Sequence, residues 1–424
     1  MFISIILGFL LLFLCISFRI SFSEPMGMIN IFWSFFILGA LFCLSEKYVF
    51  YFYGINWIIL FMILGTLASR IKTSNVFVEK NNVSKGNNLQ IKWKLLFIII
   101  LLSFVSIFLL MFKKGISLNV FLNFSNLQEI SHQNSVERYS SGNDNSLFSQ
   151  VFNIFIYVSP LCAGYSLVYA SNFYQKLICY TSFIPSLLSM LLTSAKLSLI
   201  SFVLFFFIGF YVSFIKKYQE FPQIKLRQIM YVILLFIIMM MLFFISFILR
   251  IGSINPKYIS IIVNKLFVYS FGHIQGFDLW FSQYGLDFSN IGFGQNTFLF
   301  ISSKLGIAEK KQGVYDFISG SSTNIYTQFR AVIEDFNFIL GLLILVIVIY
   351  LIYFLINRIK LRKSTVFSEV LLSSLLFFNF YFIVSAWTYT TYFFVFIIFY
   401  IYLVITRYIK ITLIWRKNIV KKIQ

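Results

Sequence analysis

The segment Ser319–Phe336, SGSSTNIYTQFRAVIEDF, gathers hydroxyl, amide and charged side chains in a chain otherwise rich in Phe, Ile and Leu. The residues at 321–324 are of types that favour helix N-caps. The residues after them can form a helix that runs toward an apolar stretch starting at 337. The pattern therefore predicts a helix N-terminus at 321–324.

Such a terminus can bind an anion, because its free N–H groups and partial positive charge would lie near Thr323 and Asn324. Helical spacing places Thr323, Tyr326 and Arg330 on one face, and Arg330 could add a bidentate phosphate contact. The alternative is a capped amphipathic helix in which Arg330 pairs with Glu334 in water, worth only some tenths of a kcal/mol. Spacing alone does not separate a phosphate site from this ordinary helix.

Two further cations are candidates for phosphate contacts. Lys196 lies in LLTSAKLSLI, between two apolar runs, and Arg250 ends another run in FISFILRIGS. Both positions are at a predicted membrane edge, where a long cationic side chain can reach water at little cost. Interfacial anchoring is therefore the alternative for each residue taken alone.

Proton transfer has several candidate residues. His273, in YSFGHIQGFDLWF, is one of two histidines, and the other is His132. A lone histidine among aromatic residues is a common interfacial residue as well as a candidate base. Spacing does not choose between it and the carboxylates of the same region, which are Asp278, Asp287, Asp316, Glu334 and Asp335.

Several classes of function lack their sequence signatures. The chain has no P-loop, dinucleotide-binding, HExxH or D-x-D motif, so no nucleotide, metal or other cofactor is predicted. Its cysteines, Cys15, Cys43, Cys162 and Cys179, all lie in apolar runs and lack metal-type spacing. We expect neither a disulfide framework nor a zinc site.

The composition of the chain predicts the kind of structure that positions these residues. The 424 residues are 60% hydrophobic and 11% charged, and the mean hydropathy is +0.88. Apolar runs long enough to cross roughly 30 Å of hydrocarbon recur along the chain. The sequence therefore predicts an all-α, polytopic membrane protein that forms a single integral membrane domain over residues 1–424.

About eleven transmembrane helices are predicted, with a range of ten to twelve. The first is expected to be a retained span, since a basic n-region and an A-x-A-like cleavage site are missing. Glu369 lies near one end of its span and is expected to reach toward the membrane edge as an anchor. The predicted spans are 2–18, 27–44, 48–68, 95–112, 150–170, 177–195, 197–215, 228–249, 337–356, 366–384 and 388–405.

The basic residues predict orientation rather than nucleic-acid binding. Of the 34 Lys and Arg residues, the alternate connections that include the C-terminal tail hold 22 and the other side holds 12. Basic connections are cytoplasmic, which places the C-terminus inside the cell. Two long connections, 113–149 and 250–336, then lie outside, and the aromatic content of the second predicts short helices folded over the membrane mouth.

Two passages resemble a known family. LLTSAKLSLISFVLFFFIGF is similar to the basic-residue span of bacterial O-antigen and capsule repeat-unit polymerases of the Wzy type. GFGQNTFLF and the segment through 336 resemble the end of their large periplasmic loop. The T-N-x-Y-x-x-x-R pattern at Thr323, Asn324, Tyr326 and Arg330 is the most specific part. Lys196 stands where the family usually has Arg, which keeps the charge but loses the guanidinium fork.

The resemblance implies a metal- and nucleotide-independent glycosyltransferase in the inner (cytoplasmic) membrane. It would transfer a growing glycan from undecaprenyl pyrophosphate to a lipid-linked repeat unit on the outer face. His273 or a nearby carboxylate would take the acceptor proton. Membrane lipids and a regulator of chain length are the other expected partners. Candidate pyrophosphate contacts are Lys196, Arg250, Arg330, Thr323, Asn324 and Tyr326.

Two alternatives share this layout. An O-antigen ligase would pass the finished glycan to lipid A core. A transporter or flippase would move the same lipid-linked oligosaccharide, although the sequence shows no two-fold repeat or paired broken helices. The accumulated glycan distinguishes a polymerase from a ligase. A mutant that lacks the polymerase would leave a single repeat unit on the lipid, whereas a mutant that lacks the ligase would leave long unattached chains.

Overall fold

The computed structural model describes Gly8, Leu10 and residues 22–71, 90–140, 147–223, 226–251, 256–288, 291–309 and 315–408. The regular elements of these residues are all helical. The α-helices are α1 Pro25–Leu44, α2 Tyr53–Ala68, α3 Trp93–Lys113, α4 Phe124–Ser140, α5 Leu147–Leu167, α6 Phe173–Thr181, α7 Phe183–Thr193, α8 Lys196–Tyr218, α9 Leu226–Ile251, α10 Pro256–Tyr284, α11 Leu299–Lys304, α12 Gln328–Lys360, α13 Val366–Phe380 and α14 Thr390–Tyr408.

The predicted class, a helical protein with membrane-spanning segments, is confirmed. Seven helical stretches among the described residues are long and apolar enough to cross a membrane. These are Pro25–Leu44, Trp93–Lys113, Ser149–Leu167, Phe173–Thr193, Lys196–Tyr218, Gln328–Lys360 and Thr390–Tyr408. Three shorter apolar helices are Tyr53–Ala68, Ile237–Ile251 and Val366–Phe380. The predicted span 2–18 lies outside the described residues, apart from Gly8 and Leu10.

Contacts between helix termini define two ends of the bundle. At one, Glu369 near the start of α13 pairs with Lys216 near the end of α8 and with Arg407 near the end of α14. At the other, Lys196 at the start of α8 lies over the ring of Tyr269 in α10. We call the first the lower end and the second the upper end. Since α8 joins both, the two ends are separated by the length of a membrane-spanning helix.

Glu369 is not the edge anchor that the sequence predicts. Its side chain is fully buried, and one carboxylate oxygen lies 3.0 Å from Lys216 Nζ while the other accepts hydrogen bonds from Arg407 and from the Tyr165 hydroxyl, the latter at 2.8 Å. Three helices thus supply donors to a single carboxylate. Sequence position could not reveal this, because all three partners are distant along the chain.

The region predicted to contain only short helices includes the long helix α10. Its residues from 271 to 281 are buried, and it packs against α1 and α2. A Cβ on Gly54 of α2 would lie 2.8 Å from the Asp278 Cα, so glycine there permits the close approach. The aromatic residues of α10 between 271 and 281 are therefore buried between helices, and α10 is longer than the short helices expected in this region.

Helix α12 is broken at Asn337, which has φ 59° and ψ 175°. The Asn337 Oδ1 atom accepts hydrogen bonds from the N–H groups of Ile339 at 2.9 Å and Leu340 at 3.0 Å. Asn337 thus caps the apolar part of α12, because it satisfies N–H groups that have no partner within the helix. The predicted span that starts at residue 337 begins at this break.

The polar helix α4 covers the turn between α7 and α8. Ser131 Oγ lies 2.6 Å from Ser194 Oγ, and Asn134 Nδ2 donates to the Leu192 carbonyl at 2.7 Å. Ser194 has φ 51° and lies two residues before the start of α8. These contacts fix the backbone from which Lys196 projects.

Candidate functional site

The helix predicted to begin at 321–324 starts later, at Gln328. Ser321 Oγ donates to the Thr323 carbonyl at 2.5 Å, and Thr323 Oγ1 accepts from the Ile325 N–H at 3.2 Å. Such local bonds compete with helix formation, which is why hydroxyl residues favour turns as well as caps. The predicted helix terminus beside Thr323 and Asn324 is therefore wrong.

The irregular segment is held by the buried side chain of Gln275. Its Oε1 accepts from the Ser322 N–H at 2.8 Å, and its Nε2 donates to the carbonyls of Gly320 and Val49, each at 3.2 Å. A Cβ on Gly276 would lie 3.2 Å from Ser321 Oγ, so α10 and the segment run close together. Gln275 thereby fixes the backbone around Ser321 to Asn324.

Arg330 lies among three aromatic rings. Its Cζ atom is 3.9 Å from the ring centroid of Tyr315, 4.5 Å from that of Tyr326 and 5.0 Å from that of Trp280. Its Nε donates to Glu334 Oε1 at 2.7 Å, which is the predicted pair, but the Arg330 side chain is only 13% exposed. The guanidinium is therefore held in an aromatic cage rather than on a solvated helix face.

One guanidinium nitrogen of Arg330, Nη1, is buried and has no hydrogen-bond partner among the described residues. Buried donors are nearly always paired in folded proteins. The Tyr326 hydroxyl is engaged elsewhere, since it donates to the Asp316 carbonyl at 3.1 Å and accepts from the Ile318 N–H at 3.2 Å. Arg330 thus keeps a donor for which the described residues supply no oxygen.

Lys196 and Arg250 meet at Tyr269. Lys196 Nζ is 3.7 Å from the ring centroid of Phe247 and 5.2 Å from that of Tyr269, while Arg250 Nη1 donates to the Tyr269 hydroxyl at 3.2 Å. The Arg250 carbonyl lies 2.6 Å from His132 Nδ1 of α4. Two cations predicted separately therefore lie around one tyrosine at the upper end.

Tyr269 also lines a cavity of about 540 Å³, which we call the upper cavity. The predicted residues Thr323 and Asn324 line it as well. The full lining is Tyr48, Ile261, Asn264, Lys265, Val268, Tyr269, Phe317, Ser322, Thr323, Asn324 and Ile325. Four predicted site residues from three regions of the sequence thus converge on Tyr269 and this cavity.

Arg330 lies apart from this group. It contacts Trp280, and along α10 the separation between Tyr269 and Trp280 corresponds to roughly 16 Å of helical rise. Tyr326 belongs to the Arg330 cage. The structure therefore places the predicted cations at two positions along α10, a spacing that suits an extended ligand better than a single anion.

His273 lies in an apolar pocket whose aromatic rings belong to neither group. It is 2% exposed, and its ring centroid is 4.7 Å from that of Phe36 and 4.9 Å from that of Phe382. Neither ring nitrogen has a hydrogen-bond partner among the described residues. Burial lowers the pKa of His273 to about 3, so the imidazole is neutral at physiological pH.

This pocket predicts a pH dependence of stability. The folded-state pKa of His273 lies below the ordinary value of 6.5, so the unfolded chain binds more protons as the pH falls from about 6.5 toward 3. Stability should therefore fall over that range, with His273 contributing a loss of about 2 kcal/mol by pH 5. We expect His273→Phe to abolish the contribution of His273 to the loss of unfolding free energy between pH 7 and pH 5, as measured by unfolding in detergent. Equal losses in the variant and the parent would contradict a buried neutral imidazole.

Two of the candidate carboxylates serve the backbone. Asp278 accepts from the N–H groups of Tyr51 at 2.6 Å, Phe52 at 2.8 Å and Gly54 at 2.9 Å, and from a fourth donor at the start of α2. Burial raises the pKa of Asp278, and these donors oppose that shift. Asp335 similarly accepts from the backbone at residues 296 and 297. Each oxygen of both carboxylates therefore already accepts a backbone N–H, which leaves neither residue well placed to take a proton from a substrate.

We predict that Asp278→Asn lowers the free energy of unfolding by about 2 to 3 kcal/mol, since an amide nitrogen would face N–H donors in place of one oxygen. Unfolding in detergent measures this change. Asp316→Asn is the control, because Asp316 has an exposed side chain and should change stability by less than about 0.5 kcal/mol. Equal stability of the two variants would contradict the capping role.

Sequence reasoning missed the residues that complete these groups, which are Trp280 and Tyr315 at Arg330, and Tyr48, Asn264, Lys265 and Tyr269 at the upper cavity. A signal was present in FGHIQGFDLWF, where three polar residues interrupt an aromatic run of α10. Buried polar side chains need hydrogen-bond partners, so this pattern predicts that polar residues of α10 bond to neighbouring segments of the chain.

Comparison of the chain with models of known protein families, with curated proteins and with solved structures finds no match.

Proposed function

We propose that the chain polymerises undecaprenyl-pyrophosphate-linked oligosaccharide repeat units into O-antigen or capsular polysaccharide. The observation that supports this most is the convergence of Lys196 and Arg250 on Tyr269, which also lines the upper cavity. A lipid diphosphate presents two negative groups at the membrane edge. Cations at the end of membrane-spanning helices lie at the same level of the membrane and carry the opposite charge.

In the proposed arrangement the protein has about eleven spans and lies in the inner membrane with its C-terminus in the cytoplasm. The upper end faces outward, and the regions 113–149 and 250–336 are extracytoplasmic. This orientation follows from the distribution of Lys and Arg among the connections. Lipid-linked repeat units would reach the upper end from the outer leaflet.

The reaction breaks the bond between the anomeric carbon of the donor glycan and the pyrophosphate oxygen. A hydroxyl of the lipid-linked acceptor forms the new glycosidic bond and loses its proton. Negative charge develops on the leaving pyrophosphate, so fixed donors around it stabilise the transition state. The Nη1 group of Arg330 would supply this stabilisation. Lys196 and Arg250, roughly 16 Å away along α10, would hold the diphosphate of the lipid-linked acceptor.

A proton acceptor completes the proposal. Asp278 and Asp335 are occupied by backbone donors, and Glu334 is paired with Arg330. The proposed acceptor is His273, whose neutral imidazole has two nitrogens without partners among the described residues, or a nearby carboxylate such as the exposed Asp316. His273 would act only when the acceptor hydroxyl enters the pocket beside Phe36.

Deletion of the gene tests this function. A polymerase mutant should leave a single repeat unit on the lipid, and the parent gene should restore the ladder of chain lengths. Lys196→Ala, Arg250→Ala and Arg330→Ala should fail to restore it. Lys363→Ala, an exposed change at the lower end, should succeed. Long unattached chains would instead indicate a ligase, and an unaltered polysaccharide would refute the proposal.

A further inference from the structure

The upper cavity is lined by amides, hydroxyls and aromatic rings together with one cation, Lys265. The cavity volume of about 540 Å³ lies within the range of roughly 300 to 1,000 Å³ that is typical of ligand sites. Its walls come from α10, from the connection between α1 and α2, and from the irregular segment before α12. No carboxylate lines it in the described part of the chain.

Planar amides and aromatic rings share its lining. Asn264 and Asn324 each carry an acceptor oxygen and an NH₂ donor, a combination that suits neighbouring sugar hydroxyls, which both donate and accept. Tyr48, Tyr269 and Phe317 offer aromatic surface on which the C–H face of a sugar ring can pack while its hydroxyls remain at the ring edge.

Two of the polar groups of the cavity have hydrogen-bond partners within the protein. Lys47 Nζ donates to Asn264 Oδ1 at 2.7 Å, which sets the amide plane and leaves the Nδ2 hydrogens on the other side. Gln275 bonds the Ser322 N–H at 2.8 Å, which fixes the backbone beside Thr323 and Asn324. A site whose donors are already ordered loses less entropy on binding.

We propose that the upper cavity binds sugar residues of the lipid-linked oligosaccharide. The inference rests on the proposed function for the identity of the ligand, and it extends that function by assigning a saccharide site to residues that include Tyr48 and Asn264, which have no proposed part in pyrophosphate binding. Tyr269 joins the two sites, since it lines the cavity and accepts a hydrogen bond from Arg250. A sugar in the cavity would thus lie next to the diphosphate.

The test uses the purified full chain in lipid nanodiscs. The probe is the repeat-unit oligosaccharide released by mild acid from the cell's lipid-linked pool, and binding is followed by saturation-transfer NMR and calorimetry. Asn264→Ala and Tyr48→Leu should each weaken binding about tenfold or more. Lys363→Ala and Tyr174→Leu, exposed lower-end changes of similar type, should leave the affinity unchanged. Asn264→Asp keeps the size of the side chain and changes only the amide group, so weaker binding by this variant would not reflect lost packing.

A parallel titration with inorganic pyrophosphate separates this inference from the proposed function. Loss of saccharide binding in the cavity variants with pyrophosphate binding intact would support the inference. Saccharide binding that is absent, or equal in all variants, would overturn it even if pyrophosphate still binds. Loss of pyrophosphate binding in every form, with saccharide binding retained, would refute the proposed leaving-group contacts but leave the cavity assignment standing.

Discussion

Arg330→Ala is expected to slow polymerisation of lipid-linked repeat units roughly ten- to a hundredfold or more. A charge-assisted hydrogen bond is worth about 1.5 to 3 kcal/mol, and each 1.36 kcal/mol of transition-state stabilisation is a factor of about ten in rate. In the structure the guanidinium lies in a cage of Trp280, Tyr315 and Tyr326, with Nη1 buried and without a partner among the described residues. The measurement is chain growth by purified protein supplied with lipid-linked repeat units.

Two variants separate a ligand contact from a structural role. Arg330→Lys keeps the charge but loses the planar fork, so activity should fall well below that of the parent. Glu334→Gln removes the pairing partner of Arg330 but leaves the cage and Nη1, so activity should be reduced much less than in Arg330→Ala. An Arg330→Ala protein that inserts normally and polymerises at the parent rate would show that Arg330 does not contact the pyrophosphate.

Glu369→Ala is expected to destabilise the protein by about 3 to 5 kcal/mol, the largest stability effect that the structure predicts. Removing one partner of a buried ion pair leaves the other charge without compensation. Here both Lys216 and Arg407 would lose their carboxylate, and their side chains are only 21% and 10% exposed. Tyr165 would also lose its hydrogen-bond acceptor. The free energy of unfolding in detergent measures the loss.

Glu46→Ala provides the matched control for this change, because Glu46 is exposed near the upper end. Its removal should alter stability by less than about 0.5 kcal/mol. Glu369→Gln should fall between the two, since an amide keeps hydrogen bonds but not the charge. A Glu369→Ala protein as stable as Glu46→Ala would show that the cations find other partners at the lower end.

The helices were largely predictable because each depends on its own apolar run. The run that starts at residue 337 needs no distant partner to form a helix, and the structure begins the apolar part of α12 at Asn337. The position of Arg330 four residues before Glu334 likewise gave their pairing as one of two alternatives, and the structure contains this pair. Local sequence patterns were enough to predict these features, because the residues that form them are close together along the chain.

Features that depend on distant residues were not predictable. The segment around Ser322 fails to form a helix because its hydroxyl groups bond locally and because Gln275, 47 residues earlier, holds its backbone. Glu369 is buried because residues from three other helices converge on it. Lys196 and Arg250 were predicted individually, but only the folded chain brings them to Tyr269.

The proposed reaction requires the upper end to face away from the cytoplasm. A single cysteine at the exposed position Ser319, in a chain otherwise free of cysteine, can be tested with a membrane-impermeant maleimide on intact cells stripped of their outer envelope. We predict that Ser319→Cys reacts at once, whereas Lys363→Cys at the lower end reacts only after the membrane is permeabilised. The reverse pattern, with Ser319→Cys protected and Lys363→Cys labelled, would contradict an extracytoplasmic polymerase site.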